Sequence, residues 1–109
     1  MSDPGRSQRP DPTVPTQLRA LFRRYEFTPR KRLGQSFLID GNIARKIARL
    51  VEPSSDVSVV EIGAGAGAVT QFLTEEAARV VAVEIDPTLV AILARRRLAQ
   101  GLRMGEAAV

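Results

Sequence analysis

The residues best suited to chemistry in this chain are two acids and three glycines. Glu61 is followed by Gly63, Gly65 and Gly67 at alternate positions. Glu84 stands about 20 positions beyond them, the interval at which an acid accepts hydrogen bonds from ribose hydroxyls in mononucleotide-type folds. Glycines let a backbone turn sharply and approach a ligand with no Cβ in the way. A helix that starts directly afterwards offers unpaired N–H groups and the positive end of its dipole. Three interpretations are open for such a cluster. It can be a structural strand–helix corner. It can hold a dinucleotide, but that needs G-x-G-x-x-G, and here the glycine after Gly65 comes two residues on. It can hold S-adenosylmethionine, whose sites typically carry an acid just before G-x-G-x-G.

The flanking elements must place these groups at one edge. Val57 to Ile62 is a β-branched run suited to a strand buried on both faces, and Val80 to Ile85 is a second one, apolar except for Glu84. Between them a helix points Val69, Phe72 and Leu73 inward. Asp86-Pro87 then supplies an N-cap followed by proline at the first helical position. The helix it opens carries Leu89, Val90, Ile92 and Leu93 and ends in a polar Arg95-Arg96-Arg97 patch. Strand, glycine loop, helix, strand, helix is a βαβα unit with the signature of a parallel sheet. Residues 102–109 read equally as a third strand or a frayed end.

Upstream, residues 1–15 hold four prolines among polar residues and read as a disordered leader. Residues 16–53 form a basic helical segment. Its first helix places Leu18, Leu21, Phe22 and Tyr25 on one face and is broken at Thr28-Pro29. Its second is N-capped by Asp40, carries an apolar stripe of Ile43, Ile47, Leu50 and Val51, and ends near Glu52-Pro53. Residues 54–109 form an incomplete Rossmann-like domain.

Composition narrows the chemistry. The chain has 109 residues, no Cys and no His, which excludes Cys/His zinc sites, thiol nucleophiles and imidazole bases, and no metal is expected. No apolar stretch suggests a signal peptide or a membrane span, so a cytoplasmic location is expected. Residues 1–53 carry eleven Lys/Arg against five Asp/Glu, whereas residues 54–109 carry five against seven. The positive charge thus precedes the apolar core, as on a surface that meets a polyanion, although a solvated basic arm has the same composition.

Three segments in this order and spacing carry a family resemblance. Lys31-Arg32-Leu33-Gly34-Gln35-Ser36-Phe37-Leu38-Ile39-Asp40, then Val60-Glu61-Ile62-Gly63-Ala64-Gly65-Ala66-Gly67-Ala68-Val69-Thr70, then Val83-Glu84-Ile85-Asp86 resemble the KsgA-type small-subunit ribosomal RNA adenine dimethyltransferases. The resemblance covers roughly residues 18–98. It implies an α/β fold, the N-terminal portion of a Rossmann-like class I S-adenosylmethionine-dependent methyltransferase domain, with S-adenosyl-L-methionine as cofactor. It also implies ribosomal RNA of the small subunit as partner, with two methyl groups transferred to N6 of each of two neighbouring adenines during ribosome biogenesis.

Residue roles follow from the same resemblance. Gln35, Ser36 and Leu38 fall where the family's N-terminal segment closes over the cofactor, Ser36 standing where Asn is usual. Gly63, Gly65 and Gly67 would line the methionine and ribose side, and Glu61 would orient the methionyl end. Glu84 would bind the ribose hydroxyls and Ile85 would pack on the adenine. Glu106, in Gly105-Glu106-Ala107, faintly matches the family's Gly-Asp-Ala acid. Arg30, Lys31 and Arg32 would contact RNA phosphates. The sulfonium is itself electrophilic, so no protein nucleophile is required, and catalysis would rest on positioning an extruded base. The family's Asn/Asp-Leu-Pro-Tyr-type segment, which grips the target adenine, has no counterpart in residues 1–109, so no catalytic residue is assigned and this chain alone is expected to be inactive. The related large-subunit enzymes of macrolide resistance share the Gly-Gln-x-Phe-Leu opening. A non-catalytic RNA-binding remnant using residues 19–49 is the rival outside enzymology.

Overall fold

A computed structural model describes residues 10–29 and 35–96, together with the backbone of residues 102–106. The elements in order are α1 (Pro15–Arg24), α2 (Gly41–Leu50), β1 (Ser58–Ile62), α3 (Thr70–Glu76), β2 (Arg79–Glu84), α4 (Pro87–Arg95) and β3 (Leu102–Glu106). The three strands form one parallel sheet in the order β1-β2-β3. Residues 102–106 are thus a strand, which leaves Glu84 and Glu106 facing across the β2–β3 ladder at its carboxyl end.

Register decides which side of each strand is covered. Val59 pairs with Val80 and Glu61 with Ala82, so these four share one face, with Glu84 at its end. Helices α3 and α4 lie on that face. Leu73 packs with Val80 and Ala48, and Leu93 packs with Ala82 and Ala64. A third cluster joins Leu89 and Ile92 of α4 to Phe27, with Phe22 and Phe37 against it. The rings of Phe22 and Phe37 meet edge to face at 4.9 Å between centroids, which ties α1 to the segment before α2.

Two burial expectations fail, each for its own reason. The first strand is not buried on both faces: Val60 is 63% exposed and Ile62 74%, because nothing in the described residues covers the far side of β1 or pairs with its outer edge. The stripe of Ile43, Ile47, Leu50 and Val51 is likewise exposed, and α2 buries Ala44 and Ala48 instead. Small residues on that side let α2 sit close to α3, where Arg45 lies over the Phe72 ring and pairs with Glu75. Periodicity identified an apolar face, but close packing selected the alanine face beside it.

The N-terminal expectation also differs. Of the leader expected over residues 1–15, residues 1–9 lie outside the described residues, but Pro10–Val14 is folded, with Pro12 and Thr13 buried. Asp11 accepts from the backbone and hydroxyl of Thr13, a local turn that leads into α1.

Both caps expected from the sequence form. The Asp40 carboxylate accepts from the backbone N–H groups of Asn42 and Ile43, and Asp86 accepts from Thr88 and Leu89. Asp40→Ala removes a cap from an exposed helix start and is expected to cost about 1 kcal/mol in urea unfolding. Asp40→Asn should recover most of that loss.

Candidate functional site

The glycine loop leaves the carboxyl end of β1 and crosses to β2. Gly63 and Ala64 donate their backbone N–H groups to the Val83 carbonyl, at 2.8 and 3.2 Å. Gly65 donates to Glu84 Oε1 at 2.9 Å, and Asp86 donates to Glu84 Oε2 at the same distance. One carboxylate, only 6% exposed, thus joins the loop to the start of α4. All three loop glycines have positive φ: 73° at Gly63, 59° at Gly65 and 92° at Gly67. Any side chain at Gly67 would also collide with Arg96 and Leu93.

A cavity of about 140 Å³ opens beside this loop. Glu61, Gly63, Gly65, Ala66 and Ala68 line one side, and Ser36, Leu38, Leu18 and Pro12 the other. Five of the residues expected from the sequence to act together therefore do meet around it: Ser36, Leu38, Glu61, Gly63 and Gly65. Gln35 does not line it, and its amide donates to Asp86 Oδ2 at 3.0 Å, so it braces the cap of α4. Ile85 is 68% exposed at the end of β2, an apolar side chain without cover beside the buried Glu84. Glu106 shares the Glu84 level by backbone register. Arg30, Lys31 and Arg32 lie outside the described residues.

Glu61 is the ionisable group facing the cavity. Burial raises its carboxyl above the ordinary 4.5, and a hydrogen bond from the Thr70 hydroxyl partly offsets that rise. Among the described residues no cluster of three or more Asp and Glu side chains could hold a metal ion. No helix among them is long and apolar enough to cross a membrane.

Sequence reasoning missed two supports. Thr70, fully buried at the start of α3, holds the Glu61 carboxyl. Its signal was a hydroxyl one turn past Gly67 at a helix start. Arg96, read as part of a polar patch, is only 6% exposed, and no pattern within one helix announces a burial that depends on the loop beneath it.

A parallel sheet with α3 and α4 on one face, and a glycine loop and acid at adjoining strand tips, defines the class. The chain is the N-terminal portion of a Rossmann-like class I S-adenosylmethionine-dependent methyltransferase domain. Residues 26–103 match the family described as ribosomal RNA adenine dimethylase, and the chain belongs to that family. It is 51% identical over 73 residues to ribosomal RNA small subunit methyltransferase A of Lactococcus lactis subsp. lactis, a match over 67% of this chain and 25% of that protein. Among solved structures it is similar to the 23S rRNA methyltransferase ErmE, with a TM-score of 0.60 and 31% identity over 64% of this chain and 29% of that one. A dimethyladenosine transferase from Plasmodium falciparum gives a TM-score of 0.57 and 29% identity over 61% of this chain and 25% of that one. The chain spans about a quarter of the length of the curated relatives it matches.

Two outcomes test this geometry. Gly67→Ala forces a left-handed φ on alanine and drives its Cβ into Arg96, so it should lower stability by about 2–4 kcal/mol in chemical denaturation. The second is a pH effect at Glu61. Its folded-state pKa is raised, so its contribution is fully present below 4.5 and is lost as pH rises through the folded value. Glu61→Gln should therefore gain stability relative to the parent chain on going from about pH 4 to about pH 7. A difference independent of pH would show that the carboxyl titrates alike in the folded and unfolded chain.

Proposed function

We propose that this chain binds S-adenosylmethionine at the glycine loop and forms the cofactor-holding part of an enzyme that dimethylates adenine N6 in small-subunit ribosomal RNA. The observation that carries the cofactor reading is the Gly65–Glu84 hydrogen bond, which brings a bare backbone and a carboxylate to the same point at the ends of two adjacent strands. The residues present fit the group. The cavity beside Glu61 matches an amino-acid tail in size, and Glu61 supplies the negative charge that an ammonium or sulfonium would favour. Glu84 keeps one free lone pair on each oxygen for ribose hydroxyls, and exposed Ile85 offers an apolar surface to adenine. When bound, the cofactor supplies an activated methyl group, so the protein's task is binding and alignment.

The small-subunit reading rests on relatives at 51–53% identity that carry that name. A second reading, methylation of large-subunit RNA, is favoured by the likeness to ErmE. Gln35, Ser36 and Leu38 would close over the cofactor, Ser36 and Leu38 as cavity walls and Gln35 through its hold on Asp86. Arg30, Lys31 and Arg32 would contact RNA phosphates, and Glu106 would stand near the adenine edge.

Calorimetry with S-adenosylmethionine tests the cofactor site. Heat of binding by the full chain should weaken at least about tenfold in Glu84→Ala. Unchanged binding in that variant, or none in the parent chain, would refute the assignment. RNA binding without cofactor binding would instead favour the remnant reading.

A further inference from the structure

We infer that Arg96 is a positioning residue for the cofactor's amino-acid tail, acting through the glycine loop; the inference rests on the cofactor reading above. Arg96 stands at the C-cap of α4 and is not among the residues that line the cavity. Its guanidinium donates from Nη1 to the carbonyls of Ala66 at 2.8 Å and Gly67 at 3.1 Å. From Nη2 it donates to Gln71 Oε1 at 3.0 Å and to the Pro10 carbonyl at 3.4 Å. One planar group therefore binds the loop, the first turn of α3 and the N-terminal segment together.

The direction of those bonds matters. In a trans peptide the C=O and the following N–H point opposite ways. Holding the Ala66 carbonyl toward Arg96 turns the Gly67 N–H back, where it donates to the Ala64 carbonyl at 3.0 Å and closes the turn. Holding the Gly67 carbonyl toward Arg96 turns the Ala68 N–H away from it, on the side where Ala66 and Ala68 line the cavity. With Gln71, whose backbone N–H also holds the Gly67 carbonyl, Arg96 thus turns two carbonyls away from the ligand and leaves the Ala68 N–H, suited to a carboxylate, on the ligand's side.

Burying a guanidinium is costly unless its donors are bonded and its charge is offset. Here three carbonyls and an amide accept from its two terminal nitrogens. The Asp11 carboxylate lies close by: burial raises its pKa, but hydrogen bonds from Thr13 and Gln71 and the Arg96 charge outweigh that and lower it overall. An apolar side chain could fill the same space without orienting any carbonyl. The close approach also requires Gly67, since any Cβ there would meet Nη1.

Two ligands separate the tail from the nucleoside. S-adenosylhomocysteine carries the amino-acid tail, and 5′-methylthioadenosine has the same nucleoside and thioether without it. In Arg96→Met, affinity for the first should fall at least about tenfold, and for the second by no more than about twofold. Arg96→Lys keeps the charge but has a single donor group, and should lie between. Leu89→Ala, which loosens α4 through its cluster with Phe27 and Ile92, should weaken both ligands equally and slightly. In the ligand-free chain, amide hydrogen exchange over residues 64–69 should quicken in Arg96→Met more than over β2. Equal weakening for both ligands, a matching loss in Leu89→Ala, or unchanged exchange in the loop would overturn the positioning role. If the methionine variant does not fold, the lysine variant decides on the same ligand pair. Failure of the parent chain to bind either ligand would remove the cofactor reading itself, and the positioning role with it.

Discussion

The Glu84 carboxylate is the contact on which the rest of the site depends. Two backbone N–H groups from opposite directions, Gly65 in the loop and Asp86 before α4, converge on its two oxygens. Both donors would otherwise be buried or half-buried without a partner, a cost comparable to a lost hydrogen bond. By taking both, one side chain fixes how the β1 loop sits against the start of α4. The Asp86 cap, the Gln35 brace and the loop glycines all refer back to that position. An acid at the tip of β2 is then a structural pin, and the lone pairs it has left are those the proposed cofactor site would use. The short, β-branched strands beneath serve to bring it there.

Much of this was legible because it is local. Strand type follows from β-branched runs, the helix starts from Asp40 and Asp86, and the loop from alternating glycines. Those signals need only a few neighbouring residues, and the elements fall within a residue or two of where they point. The pairing of Glu61 and Glu84 with one loop was also readable, because parallel strands joined by one helix must put their carboxyl ends together.

What stayed hidden depends on distant partners. Val60 and Ile62 have the composition of a core strand, yet covering them takes elements that the described residues do not contain. The α2 stripe is apolar enough to be buried, but Ala44 and Ala48 fit more closely against α3 than branched side chains could. Arg96 looked like surface, and only the loop's carbonyls make its burial tolerable. In each case the missing information was shape and chemistry on another segment.

The Arg96–Pro10 hydrogen bond joins positions 86 residues apart, whereas β1 and β2 pair residues only about 20 apart. Closing the larger ring carries an entropic penalty that grows as the logarithm of its length, so the strap from Pro10 to Val14 is tied by a contact of longer range than those of the sheet. The strap and its arginine can part from the loop while the strands stay paired, a partial opening far cheaper than global melting. That route would bare the side of the cavity formed by Pro12.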